Sequence, residues 1–534
     1  MHLGSSWAIN RQFRRYGRPF MRVVPTLGIS CLATLAFYDE ARDRGVCANS
    51  GSLPKIVIAR ESLVRHKNLS RFDEDYQILG KLGQGGFATV YKVKHRATGF
   101  VRTAKIVDFH SASEENVFTN EVEVMTQLDS PYIARILEYY TMPAESADMA
   151  VSRKGVILYH FIDGVDLLDC INMNISSHTE FTDSEIRSVV RQILKSLKYL
   201  HHHNYVHGDI KPENFVVSSD KTSRLLLKLI DFGLTSRDHI SPREVQKAGT
   251  SFYMAPEAFG RTAEHYSAKS DCWSVGVIFA TIVSRGTALM TRSTSICRQG
   301  STNPIDAEFV SSELLRLRNQ GVIPEYIGLM ERLLLYDPKA RLSASEALND
   351  PVMAGSYKFD PSFVPNLEQA IERIRLHART PIFARVIRLV AAHQMNDSDV
   401  PEMRMVFRCL DADADGLIGG DDIFDLSGEA NPQLAEALDL CNISGSRPTL
   451  GFEGFIAATT PGVPRRHLEF IFREIDTHRT GIINPEALSS YLSQSEVDVA
   501  VSRKLLDSCN GFVDDADLTD GLSFESFERC INAM

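Results

Sequence analysis

Hydrophobic and polar positions change their period along this chain. From Phe72 the runs Tyr76–Leu82, Thr89–His95 and Arg102–Phe109 are short, rich in β-branched and aromatic residues and broken by glycine, which predicts strands. Further on the spacing lengthens. Ile186, Val189, Val190 and Ile193 line one face of Glu185–His201, the signature of a helix. A small strand-rich lobe therefore precedes a larger helical lobe that ends near Met353. From Pro365 onward the pattern is almost wholly helical, with loops rich in Asp, Asn, Ser and Gly. Apolar residues recur there as Met403, Val406, Phe407 and Leu410; as Leu434, Ala437, Leu438 and Cys441; and as Leu468, Ile471, Phe472 and Ile475. Each set has the i, i+3, i+4, i+7 spacing of one helix face and is followed by a polar loop. A weaker fourth unit runs from Val497 to Ile531, so four helix–loop–helix units are expected in two paired lobes. Residues from about Gly45 to Arg71 are weakly periodic, as a linker would be.

At 534 residues the chain is too long for one ordinary core, and two or three domains are expected. Hydrophobic residues at 44% and charged residues at 24% give the balance of a soluble globular protein. A net charge of -10 offers no basic surplus for nucleic acid. Nine cysteines without a CxxC or CxxxC pair point to neither a zinc site nor a disulfide framework, and reduced thiols in a cytoplasmic protein follow. From Met1 to Tyr38 there is no acidic residue, while Arg11, Arg14, Arg15, Arg18 and Arg22 precede an apolar run from Val23 to Phe37. That run is short for a membrane span and holds Pro25 and Gly28, so a disordered arm stands beside a targeting or membrane-associating segment. His2 occupies the position where N-myristoylation needs glycine.

The segment Leu82-Gly83-Gln84-Gly85-Gly86-Phe87-Ala88-Thr89-Val90-Tyr91 lies between two predicted strands. Glycines there let backbone approach phosphates closely, and Ala88 takes the place of a third glycine. Lys105 follows on the third strand, within reach of phosphates, and Glu121, in the helical pattern Phe118–Leu128, is placed to hold it. Next come His207-Gly208-Asp209-Ile210-Lys211-Pro212-Glu213-Asn214, then Asp231-Phe232-Gly233, then Ala255-Pro256-Glu257. From Phe72 to Met353 this ordered series resembles the eukaryotic protein kinase family. The resemblance implies a bilobal α+β kinase fold and transfer of the γ-phosphate of magnesium-ATP to serine or threonine hydroxyls of protein substrates. It implies that Asp209 accepts or orients the hydroxyl proton, that Lys211 steadies the moving phosphoryl group, and that Asn214 and Asp231 hold magnesium, a cation suited to oxygen ligands. Leu82, Gly83, Gly85, Gly86, Val90 and Lys105 would surround the nucleotide. Backbone groups of His160 and Ile162 would meet adenine, with Tyr159 as the bulky residue behind it. Asp166 and Glu213 fall where relatives bind ribose or a basic residue upstream of the acceptor. Asp271 would brace the catalytic loop and Arg341 would pair with Glu257. Gly208 departs from the family, whose arginine there receives an activation-loop phosphate. Activation without a phosphate between Leu234 and Thr250 is expected.

The loop from Asp411 to Asp422 fits the EF-hand rule for calcium. Asp411, Asp413 and Asp415 stand at positions one, three and five, Gly416 makes the turn, and Leu417 offers a carbonyl. Asp422 takes the twelfth position, where the longer glutamate is usual. The other units depart further. The second loop carries Ile443, Gly445 and Arg447 and ends at Gly454; the third carries Asp476, His478 and Thr480 and ends at Ala487. The fourth has Asp515, Asp517 and Thr519, but Asp520 at the turn and Ser526 last. Only the first loop is expected to bind calcium well.

Between the two halves, Thr380-Pro381 is a good helix start. Ile382, Val386, Leu389 and Val390 give an apolar face, and Arg373, Arg375, Arg379, Arg385 and Arg388 supply charge. A basic amphipathic helix is the usual ligand of a calcium-opened EF-hand lobe. Kinase, basic junction and four EF-hand units in this order resemble the plant- and protist-type calcium-dependent protein kinases, whose all-α, calmodulin-like region follows the kinase. The implied divisions are 1–71 extension and linker, 72–353 kinase, 360–398 autoinhibitory junction and 399–534 EF-hand region. Calcium would relieve the block. A calcium-independent kinase, or a nucleotide-binding scaffold, with the EF-hands as a docking module is the alternative.

Overall fold

The computed structural model describes residue 58 and residues 60–85, 88–142, 153–177, 179–219, 225–237, 252–258, 266–284, 307–354, 364–420, 422, 432–441, 449–492, 497–513 and 521–533. The basic N-terminal arm, Gly86, residues 238–251 of the segment after Leu234, and the ligand positions of the second and fourth loops lie outside them. No helix among the described residues is long and apolar enough to cross a membrane.

The small lobe is a six-stranded sheet of β1 (Arg65–Asn68), β2 (Tyr76–Gln84), β3 (Ala88–His95), β4 (Val101–Phe109), β5 (Ile136–Thr141) and β6 (Arg153–His160), in the order β1-β5-β6-β4-β3-β2. The three strands expected from the pattern are β2, β3 and β4. β1 falls in the stretch taken for a linker and pairs with β5 in parallel, Arg65 opposite Glu138. Helix Ala112–Gln127 packs on this sheet; Ser111 caps its start by accepting the Glu114 N–H, and Phe118, Val122, Val124 and Met125 are buried. In the large lobe, helix Asp183–His202 opens on a capping box between Thr182 and Glu185. Its Val189, Val190, Ile193, Leu194, Leu197 and Leu200 are fully buried. Helix Ala268–Val283 is buried from Ser270 to Ile282, apolar over its later turns, with the polar Ser270 and Asp271 in its first turn.

The C-terminal region has a core of its own. Helices Pro401–Leu410, Pro432–Cys441, Phe452–Thr459, Arg465–Ile475, Pro485–Tyr491, Val499–Asp507 and Phe524–Asn532 are joined at their loops by two short antiparallel ladders, Leu417–Ile418 with Leu450–Gly451 and Ile482–Ile483 with Leu522–Ser523. Both junction helices, Val364–Ala378 and Ile382–Gln394, belong to this core, as do Ile58 and Leu63 from before β1. Phe383, Ala384, Val386 and Ile387 are fully buried, so the second junction helix is enclosed on more than the one face its sequence suggests. Arg388, taken from the sequence for charge, is 1% exposed and donates to the carbonyls of Ala457, Thr460 and Ile531.

This region seats on the kinase behind the hinge. Asp397 forms ion pairs with Lys228 at 2.7 Å, Arg404 at 3.1 Å and Arg135 at 3.5 Å. Burial opposes its charge, but the three cations outweigh that and hold its carboxyl well below the usual range. Arg135 also donates to the Ala392 and Met395 carbonyls, and Arg102 to the Gln394 carbonyl. Nearer the sheet edge, His467 packs tilted against Phe100, ring centroids 4.6 Å apart. It is fully buried, and neither ring nitrogen has a partner among the described residues. Burial, with Arg466 and Arg102 nearby, pushes its pKa down to about 3. Unfolded, the ring takes up a proton near pH 6.5; in place it refuses one until far lower. The seated state is therefore at full strength above pH 6.5 and loses stability as pH falls below it. We expect this ring to add a loss of up to about 2 kcal/mol at pH 5 relative to pH 7; in melting curves His467→Gln should remove that share and leave what other buried histidines, such as His160 and His377, contribute.

Candidate active site

The cleft between the lobes brings the expected residues together. Lys105, on β4, reaches Glu121 of helix Ala112–Gln127 at 2.7 Å and Asp231 at 2.9 Å. Burial works against its ammonium, and the two carboxylates outweigh burial and raise its pKa above the ordinary value. Asp231 has φ +64° and, with Lys105 beside it, a pKa lowered to about 2. Tyr159, at the end of β6, donates its hydroxyl to the same Glu121 at 2.6 Å. One carboxylate thus joins helix, strand and hinge. Tyr159→Phe keeps the ring and deletes that bond. Steady-state kinetics should show kcat/KM down about threefold to tenfold, with melting almost unchanged.

The catalytic loop is fixed from beneath. The fully buried Asp271 accepts the N–H groups of His207 at 2.9 Å and Gly208 at 3.1 Å, and pairs with His201 at 2.9 Å. These bonds hold Gly208 at φ +82°, a conformation glycine takes freely and a side chain resists. Asp209 then meets Lys211 Nζ at 2.6 Å, while Asn214 Nδ2 donates to its carbonyl at 2.7 Å and its carboxylate at 3.0 Å. Arg341 clasps Glu257 in a two-pronged pair at 2.7 and 2.9 Å.

The space over these groups suits a nucleotide. A Cβ on Gly83 would meet nothing within 4 Å, and one on Gly85 would come no nearer than 3.8 Å to the Ala88 carbonyl, so room remains beneath the strand turn for phosphates. Leu82 is half-exposed and Val90 half-buried along the same edge. Ile162 is half-buried at the hinge. Asp166 uses Oδ1 to cap helix Leu167–Ser176 through the Asp169 N–H at 2.8 Å. Glu213 has a buried Oε2 with no hydrogen-bond partner among the described residues, and burial raises its pKa. The His160 side chain turns away from the cleft, Nε2 donating to the His393 carbonyl at 2.8 Å. Sequence reasoning did not find that link, because nothing local to His160 marks it.

The first acidic loop keeps the geometry of a cation cage. Ligand atoms of Asp411, Asp413 and Asp415 lie within 4.8 Å of one another, and Gly416 has φ +85°. The Leu417 N–H bonds Asp415 Oδ1 at 2.8 Å, and the Gly419 N–H bonds Asp422 Oδ2 at 2.7 Å. Burial pushes the carboxyls up, Asp411 to about 7 and Asp422 to about 6, and the neighbouring carboxylates add to the shift. The third loop differs. Asp476 spends its carboxylate on the Thr480 and Gly481 N–H groups, closing the turn by itself.

The protein kinase domain model matches residues 76–353. Calcium-dependent protein kinase 3 of Plasmodium berghei (strain Anka) is 26% identical over 476 residues, covering 86% of this chain and 80% of that one. Calcium-dependent protein kinase 22 of Arabidopsis thaliana is 24% identical over 496 residues, covering 90% and 93%. Among solved structures, an autoregulated twitchin kinase fragment from C. elegans aligns with 25% identity and a TM-score of 0.42, over 55% of this chain and 60% of that one. A domain match across more than half of its residues, over the cleft described above, places this chain in the protein kinase family, as a serine/threonine kinase.

Proposed function

We propose that this kinase is governed by calcium through its junction and EF-hand region. In the cleft, Asp209 takes the proton of the substrate hydroxyl, Lys211 faces the moving phosphoryl group, and Asn214 and Asp231 supply the oxygens that hold magnesium. Lys105, fixed by Glu121, sets the nucleotide's phosphates. Magnesium-ATP supplies the phosphoryl group and neutralises its charge; the chain contributes position and field. Glu213, with its unpartnered buried oxygen, supports a preference for Arg or Lys upstream of the acceptor. Gly208, which offers no guanidinium to a loop phosphate, supports activity without activation-loop phosphorylation.

One observation carries the regulatory reading. The catalytic groups are assembled while the junction helices lie in the C-terminal core, and no described hydrogen bond or ion pair joins those helices to Lys105, Asp209 or Asp231. This is the arrangement expected of the released state. Calcium at the first loop would favour it; without calcium the junction would leave that core and block the kinase. Phosphorylation of an arginine-containing serine peptide by the intact protein should fall about tenfold or more in chelator and recover with calcium. Asp413→Ala should remove the response. Equal turnover in chelator and calcium would overturn the regulatory reading and favour the constitutive kinase with a docking module, to which the self-closed third loop already points.

A further inference from the structure

The first calcium loop is pressed against the kinase itself. Lys195, on helix Asp183–His202, is 7% exposed, lies over the Tyr132 ring with Nζ 5.6 Å from its centroid, and donates to the Asp411 carbonyl at 3.2 Å. One helical turn on, Tyr199 lies so close to the loop's turn that a Cβ on Gly416 would be 2.3 Å from its ring. Gly416 is thus needed twice, for its left-handed backbone and for this approach. The ladder partner Gly451 is just as tight, since a Cβ there would lie 2.7 Å from Asp129 Oδ2. The kinase therefore places a buried, tethered ammonium against the first ligand residue of the loop.

Resting on the reading that this loop binds calcium, we propose that Lys195 is a built-in competitor for the cation: it offsets part of the acidic charge of the seated loop and weakens calcium binding there, so that the kinase lobe sets the calcium threshold. A single positive charge several ångströms from a divalent ion, at the edge of a protein, changes affinity on the order of tenfold. The ammonium lies over the Tyr132 ring; methionine keeps much of the side chain's length without charge, and arginine keeps the charge.

The test is direct calcium titration of the full-length protein, by calorimetry or indicator competition, with melting curves to check folding. Lys195→Gln and Lys195→Met should each bind calcium about tenfold more tightly than the parent, and Lys195→Arg should match the parent within about twofold. Unchanged or weaker binding in Gln and Met would overturn the proposal, as would an arginine variant that shifts as far as they do. A failure of the underlying reading looks different: the parent and Asp413→Ala would give the same isotherm, with no calcium taken up at this loop.

Discussion

An Asp209→Asn protein will fold and bind nucleotide like the parent, yet transfer phosphate to a peptide about a hundredfold to ten-thousandfold more slowly. The substitution removes the base and little else. Lys211 and Asn214 already donate to the same oxygen, Asp209 Oδ2, and asparagine keeps one oxygen to take both bonds. The loop's backbone is anchored elsewhere, by Asp271 through the His207 and Gly208 N–H groups. Lys105 and Asp231 form a separate cluster that the change does not touch. Single-turnover phosphotransfer, nucleotide titration and melting together check this. Turnover within a few-fold of the parent would remove Asp209 from the proton's path, and lost nucleotide binding would show that the loop had moved.

The second large effect is expected far from the cleft. Asp397→Ala leaves Lys228, Arg404 and Arg135 crowded without their shared carboxylate, with only Glu453, 3.7 Å from Arg135, to offset them. Breaking a buried pair from one side costs about 3–5 kcal/mol. The cost falls on the seating of the C-terminal region, since Lys228 and Arg135 belong to the kinase while Asp397 lies just past the second junction helix. Small-angle scattering should show a larger radius of gyration, and melting should split into two steps where the parent has one. Pairing Asp397→Leu with Lys228→Met should recover part of the loss, because the imbalance is smaller. A compact, singly melting Asp397→Ala protein would show that the apolar contacts alone hold the seat.

Much of this was legible in the sequence, and the parts that were not share a cause. Period-two and period-3.6 patterns are local, so β2, β3 and β4 fell within two residues of their expected bounds, and the helix bearing Glu121 was found though it begins at Ala112, six residues before the expected Phe118. The glycine turn and the catalytic loop are short motifs whose spacing encodes their chemistry. The clamp behind the hinge has no such period. Arg102 and Gln394 meet across 292 positions, and Arg135 and Met395 across 260. The one available signal was phase, since Arg102 shares a strand face with buried Ala104, an odd place for a free guanidinium. β1 was missed because four polar residues at a sheet edge carry no alternation. Arg388 misled because charge counts as exposed until helix-end carbonyls are found around it.

Several clamps join the beginning of the described chain to its far end. Arg60 donates to Glu453 across 393 positions, and Arg65 to the Tyr491 carbonyl across 426. On a ribosome, where residues emerge one after another and domains fold as they appear, the catalytic lobes are complete long before those partners exist. Every new molecule therefore passes through an interval with its kinase finished and its rear fastening still unmade, and whatever restrains activity in that interval must come from outside the fastened state.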